Sequence, residues 1–235
     1  MVTLKWALAQ SNNWVSAYLM STVNAQDFLA FLRDYGINTF GVYPSMVLCL
    51  GPNEVSVAEM VSAYTTFANN GIHCYPLYVT KIEDSAGNVL AEFQPRMNEV
   101  ISEESAFKML DMLQAVMNGG TGSRMRYRYN LDCVMGGKTG TTNRNADAWF
   151  MGFTPSLVSG CWVGGEDRDI HFDSTVMGQG ANMALPIWAY YMRKVFADPT
   201  LGYDPKETFQ IPEGYNACAT DPDEYISGGI EEVFE

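Results

Sequence analysis

Residues 136–143 (GGKTGTTN) gather a lysine, three threonine hydroxyls and a glycine-opened backbone into eight positions. A substrate carboxylate calls for a fixed positive charge beside hydroxyl donors. A developing oxyanion calls for a preorganised N–H. Gly140 carries no side chain, so a substrate backbone can come close to the strand. Lys138, Thr139, Gly140, Thr141 and Thr142 are therefore the candidate site, and the chemistry they suit is acyl transfer on a substrate ending in a carboxylate. A solvated strand edge carrying a lysine fits the K-T-G tripeptide equally well when it is taken alone. A nucleotide-binding loop does not fit: Asp132 stands where that motif needs glycine, and a strand rather than a helix follows.

Two other groupings can carry chemistry. Ser11-Asn12-Asn13 falls between two helical stretches; a serine can pass a proton there, and an asparagine can donate and accept. The same residues also serve as a helix cap. Ser105 and Lys108 stand one turn apart at the start of a helix, the spacing of an activated nucleophile. They fit a first-turn serine and an exposed lysine as well, and Glu103 and Glu104 oppose an anion beside them.

The elements that must position these residues are legible in part. Residues 3–10 and 14–23 read as helices, and Asn24 caps a third that closes at Gly36. Residues 36–55 are rich in turns. Ser56 and Glu59 form a capping box that opens a helix ending at residues 69–71. Residues 78–83 and 89–93 alternate around a turn at 84–88, the pattern of a β-hairpin. Ser102 caps a helix running to Gly119 and Gly120. Residues 134–142, 148–154 and 157–164 read as three strands with short connections, and residues 181–196 as a last helix. The class is α+β, an antiparallel sheet flanked by helices.

With 235 residues and 47% hydrophobic content, the chain can bury one large core. Residues 1–203 are expected to form the domain and residues 204–235 an acidic tail with little regular structure. That tail holds nine acids against Lys206 alone, out of a net charge of −13. The charge argues against nucleic acid as a partner. Five cysteines without C-x-x-C spacing and only two histidines, His73 and His171, point to no metal and no cofactor. The cysteines leave the compartment open. No apolar run reaches the ~18 residues of a membrane span, and residues 1–9 are too short for an export signal. The expectation is a chain with neither signal nor anchor of its own.

S-x-x-K, S-x-N and K-T-G together are the signature of penicillin-binding proteins and serine β-lactamases. Over about residues 1–197 the chain resembles the transpeptidase domain of class A, bifunctional penicillin-binding proteins. The run 3–13 into S-x-N, the helix 54–71, the turn 119–124, K-T-G-T-T and the strand opening at Asp147 follow that family's order. Thr142 favours class A over the monofunctional class. The resemblance implies that family's transpeptidase fold and an enzyme that cross-links peptidoglycan stem peptides through an acyl-serine and binds β-lactams. It implies that Ser11 shuttles a proton to the leaving group and that Asn13 holds the substrate amide and orients the catalytic lysine. Lys138 would supply charge to Ser11 and to the substrate carboxylate. Thr139 and Thr141 would bind that carboxylate, with Thr142 beside them, while the Thr141 N–H forms half of the oxyanion hole and Arg144 adds steering charge.

One departure stands out. The family places S-x-x-K upstream of S-x-N, whereas ten residues precede Ser11 and none form that motif. The expectation is a C-terminal piece of a larger, membrane-anchored protein at the extracytoplasmic face. Its glycosyltransferase domain and nucleophile helix would lie outside the chain, and the piece alone would be inactive. Apolar faces exposed by truncation would favour a homodimer. Two alternatives stay open: a non-catalytic interaction module, and a carboxypeptidase or β-lactamase that uses Ser105.

Overall fold

The computed structural model describes residues 2–213 and residue 215. Helix caps set the first half of the chain. α1 (Leu4–Ala9) opens on the Thr3 hydroxyl, which accepts from the Trp6 N–H. α2 (Asn13–Ser21) opens on Asn12 and α3 (Ala25–Asp34) on Asn24, each carboxamide oxygen accepting two backbone N–H groups. Such caps satisfy donors that a helix start leaves open. A short 3₁₀ turn, Met46–Leu50, follows. α4 (Val57–Ala68) carries the full capping box between Ser56 and Glu59. These starts agree with the sequence reading to within a residue or two.

Four short strands come next: β1 (Ile72–Cys74), β2 (Lys81–Glu83), β3 (Val89–Glu92) and β4 (Met97–Glu99). β2 and β3 make the expected hairpin, but residues 78–80 stay outside it and a bulge follows Ile82. The pairing of β1 with β4 has no counterpart in the sequence reading. Each strand has only three residues, too few to display a period of two.

α5 (Glu103–Gly119) is capped by Ser102. α6 (Arg124–Tyr129) is a six-residue helix closed by Asn130 in the left-handed region (φ 51°). β5 (Gly136–Thr141), β6 (Asp147–Phe153) and β7 (Val158–Gly164) then form an antiparallel sheet in the order β5-β6-β7. A one-turn helix, α7 (Thr175–Gly178), precedes α8 (Ala184–Ala197). The sequence reading has neither α6 nor α7, because neither is long enough to show a helical period. It also starts the last helix at Ala181 rather than Ala184. Pro186 falls in the first turn of α8, where its missing N–H costs nothing.

The strand β6 explains the layering. Its run of buried residues shows no alternation, as expected for a strand covered on both faces. On one face Phe150 meets Trp188 of α8 at 5.3 Å between ring centroids. A Cβ on Gly152 would lie 2.6 Å from that indole. On the other face Met151 lies over Gly160, beside Val61 of α4. The largest core cluster joins Val116 and Met117 of α5, Met125 of α6, Phe150, and Leu185, Trp188 and Met192 of α8. The α+β architecture, an antiparallel sheet flanked by helices, is the one anticipated. Past Gly202 the described chain continues without helix or strand, and Phe209 packs on Phe153. The acidic stretch 216–235 lies outside the described residues.

A buried histidine joins the smaller elements. His73 is fully buried, with its Nε2 2.7 Å from the Ser62 hydroxyl. That hydroxyl also donates to the Cys74 carbonyl at 2.7 Å. Nδ1 faces the Asn98 carboxamide at 3.4 Å. Burial lowers the pKa from its ordinary 6.5, and the Asn98 contact opposes that shift in part. A histidine held neutral in the fold takes up its proton more readily when unfolded. Stability is therefore full above about pH 6.5 and falls as the pH drops below it. Urea denaturation at pH 7.5 and pH 5.5 should show this loss in the wild type and a smaller loss in His73→Gln. An equal loss in both would remove His73 as the cause.

Candidate active site

The site forms at the free edge of β5, where three segments distant in sequence meet. In the β5–β6 register Lys138 faces Met151, Thr139 faces Phe150 and Gly140 faces Trp149. Thr142 N–H bonds to the Asp147 carbonyl toward β6. Antiparallel pairing alternates, so the backbone groups of Thr139 and Thr141 point away from β6 to the open edge.

The first segment brought there is the α1–α2 junction. Lys5 pairs with Asp111 at 2.9 Å, tying α1 to α5. The Thr121 N–H reaches the Ala9 carbonyl at 3.0 Å. A Cβ on Gly120 would lie 2.2 Å from that carbonyl oxygen, so only glycine allows this approach. Ser11 then takes a left-handed conformation (φ 53°). The Lys138 Nζ donates to Ser11 Oγ at 2.8 Å and to the Thr139 carbonyl at 2.9 Å. Among the described residues no carboxylate pairs with Lys138. Desolvation lowers its pKa from 10.5 to about 8. Asn12 is the residue that caps α2, with its oxygen 3.0 Å from Trp14 N and 3.2 Å from Val15 N. That leaves Asn13, exposed, as the first residue of the helix.

The second and third segments hold the threonines. The Thr121 and Thr139 hydroxyls lie 2.8 Å apart. Thr141 Oγ1 accepts the Gly180 N–H at 3.0 Å. The Thr142 hydroxyl is used within the β5–β6 turn: it donates to Asp147 at 3.0 Å and accepts from the Asp147 N–H at 2.8 Å. Trp162 Nε1 holds the other Asp147 oxygen at 2.9 Å. A Cβ on Gly140 would lie 3.0 Å from that of Trp149, so the sheet itself uses part of the space this glycine leaves. Arg144 sits in the turn with φ 64° and reaches His171 at 3.1 Å and Asp169 at 3.6 Å.

The arrangement therefore presents an ammonium, a serine hydroxyl, two threonine hydroxyls and an outward N–H along one open strand edge. Such an edge accepts a peptide backbone as an added strand, and its donors suit a carboxylate and an oxyanion. Ser105 is not part of it. It is exposed in the first turn of α5, while Lys108 pairs with Glu104 at 2.7 Å. The opposite end of α5 is the one that reaches the site, roughly 20 Å along the helix axis.

Residues 1–160 match the penicillin-binding protein transpeptidase domain. The chain belongs to that family. It is 38% identical over 211 residues to penicillin-binding protein 1A of Aquifex aeolicus, covering 90% of this chain and 27% of that protein. It is 31% identical over 234 residues to penicillin-binding protein 2D of Bacillus subtilis, covering 97% and 32%. Among solved structures it is similar to penicillin-binding protein 1A of Haemophilus influenzae, with a TM-score of 0.79, 26% identity and coverage of 90% and 36%. It is also similar to PonA1 of Mycobacterium tuberculosis in complex with penicillin V, with a TM-score of 0.74, 25% identity and coverage of 94% and 62%. The chain thus spans about a quarter to a third of the length of these curated relatives. In this transpeptidase-domain chain, S-x-N and K-T-G, 127 residues apart, meet at the Ser11–Lys138 hydrogen bond. Thr121, Gly180 and Trp162 complete the site without having been singled out as site residues from sequence, and Asp147 was read only as the opening of a strand. Of the first three only Thr121 carried a signal, as part of the glycine-rich turn at 119–124.

Proposed function

We propose that this chain supplies the proton-relay and carboxylate-binding wall of a D,D-transpeptidase that cross-links peptidoglycan stem peptides through an acyl-serine and binds β-lactams. The observation that carries this reading is the 2.8 Å contact between Lys138 Nζ and Ser11 Oγ at the open edge of β5. In the reaction a serine oxygen attacks the carbonyl of the D-Ala-D-Ala amide. The carbon–nitrogen bond breaks, and the departing D-Ala amine takes a proton. An acceptor amine then attacks the ester, forms the new amide and returns the proton to the serine.

In this reading Ser11 passes these protons. Lys138 donates to its oxygen, which leaves the serine's own proton free to move. The positive charge of Lys138, with the Thr139 and Thr141 hydroxyls, receives the terminal carboxylate. The Thr141 N–H supports the oxyanion. Asn13 meets the substrate amide, and Thr142 shapes the turn beneath these groups. Arg144 steers anions toward the edge, its charge shared with Asp169. The nucleophile in this reading is not Ser105. No helix among the described residues is long and apolar enough to cross a membrane, and the working location is the extracytoplasmic face of a bacterial membrane.

Incubating the chain with a fluorescent penicillin tests the assignment. The expected result is no covalent label on the chain, together with reversible, carboxylate-dependent binding of D-alanyl-D-alanine. A stable label mapped to Ser105 would favour a self-sufficient hydrolase instead. No binding of the dipeptide would remove the carboxylate role of Lys138.

A further inference from the structure

The clamp hydroxyls are not held by β5 alone, and what holds them has a common anchor. This step rests on the reading of Thr139 and Thr141 as carboxylate donors. The lone pairs of Thr141 Oγ1 receive the Gly180 N–H at 3.0 Å, which leaves the Thr141 proton available to a substrate. The Thr139 hydroxyl is held by that of Thr121 at 2.8 Å. These two holders come from separate segments, the turn before α6 and the strap before α8. Gly180 lies directly on the sheet: a Cβ there would stand 2.3 Å from the Gly140 oxygen and 2.5 Å from the Trp149 oxygen. The strap therefore packs directly on the backbone of β5 and β6, with no room for a side chain between them.

Arg124 joins the two segments. It is the first residue of α6, three positions after Thr121. Its Nη1 donates to the Ala181 carbonyl at 3.3 Å and to the Asn182 side-chain oxygen. Asn182 in turn donates to the Val176 carbonyl, closing the strap on itself. Among the described residues no carboxylate pairs with Arg124, although the chain carries a net charge of −13. A half-buried guanidinium bound to neutral oxygens serves geometry.

We propose that Arg124 is a positioning residue for the carboxylate clamp: it ties the Thr121 turn to the Gly180 strap and so sets the direction of both threonine hydroxyls. Loss of this tie lets Gly180 rise off β5 and frees Thr141 to turn, while the Lys138–Ser11 contact, made from the α1–α2 side, stays in place.

The test compares the wild-type chain with Arg124→Gln and Arg124→Lys. Hydrogen exchange at the Gly180 amide is read without ligand. Binding is read with D-alanyl-D-alanine and with its C-terminal amide, and the Lys138 titration is followed by NMR. In Arg124→Gln, Gly180 exchange should quicken and dipeptide affinity fall by about tenfold each, the effect of losing one well-placed hydrogen bond. Binding of the amide and the titration of Lys138 near 8 should not change. Arg124→Lys, whose ammonium still reaches a carbonyl, should recover part of both losses. Wild-type exchange and affinity in Arg124→Gln would overturn the proposal. If that variant does not fold, unchanged Gly180 exchange in Arg124→Lys overturns it instead. Absence of dipeptide binding in the wild type would count against the transpeptidase reading, and Gly180 exchange would still decide on the tie.

Discussion

Lys138→Met should abolish D-alanyl-D-alanine binding and, at the same time, make the chain more stable at neutral pH. The ammonium sits half-buried at the edge of β5 with its pKa lowered from 10.5 to about 8 by desolvation. Between those two values the unfolded chain binds more protons than the folded one. Stability therefore rises with pH through that window, and below about pH 8 the fold bears the whole cost of a desolvated charge. Each pKa unit corresponds to about 1.4 kcal/mol, so the shift represents roughly 3.5 kcal/mol at most, reduced to about 3 by solvent screening at this partly exposed edge. Methionine removes that cost but also loses the bonds to Ser11 and Thr139, worth about 1 kcal/mol each. A net gain of about 1 kcal/mol at pH 7 is expected, shrinking toward pH 10.5 and above. Loss of the ion and its hydrogen bonds should weaken the dipeptide by at least about 100-fold. Urea denaturation across this pH range and calorimetric titration at pH 7 check both halves. A variant less stable at pH 7 that still binds the dipeptide would show Lys138 to be a structural residue. Stability given up for a charged group at a site is a common mark of function.

The second large effect is expected far from the polar groups. Trp188→Ala should lower stability by about 3–5 kcal/mol, the usual range for a large core aromatic, and lower the Tm by about 10 °C for a chain of this size. Trp188 is buried against Phe150, and Phe150 is the cross-strand partner of Thr139. Directly opposed residues share a face of the sheet, so this indole forms the floor beneath the clamp. Part of the damage should appear as weaker dipeptide binding even under conditions where the variant remains folded. Trp188→Phe should be milder, about 1–2 kcal/mol. It keeps an aromatic ring over Gly152 and removes an indole N–H that has no partner among the described residues. Thermal unfolding and titration of the two variants check this order. Equal losses from alanine and phenylalanine would show that the site needs the full shape of the indole rather than any aromatic ring.

What was legible in the sequence lies within short stretches of chain. Asn24, Ser56 and Ser102 announce helix starts because a cap bonds N–H groups two or three residues away. K-T-G-T-T announces a carboxylate site because its donors are consecutive on one strand. The apolar stretch 148–154 announces a strand, although its burial on both faces is seen only in the structure. Where local signals are brief they fail: β1, β4, α6 and α7 are too short to show a period, and only packing stabilises them. Thr142 illustrates a different limit. It stands in line with Thr139 and Thr141, yet the turn at residues 143–145 draws its hydroxyl to Asp147.

By itself, then, the sequence determined the chemistry on offer and the class of fold that carries it, since residue type and spacing along one strand or helix settle both. Only the tertiary structure decided that Ser11 meets Lys138, that Thr121 and Gly180 hold the clamp, and that Ser105 stands away from it. Those are contacts between segments tens to more than a hundred residues apart. They depend on how α1, α5 and the strap pack against the sheet, and no local pattern encodes that geometry.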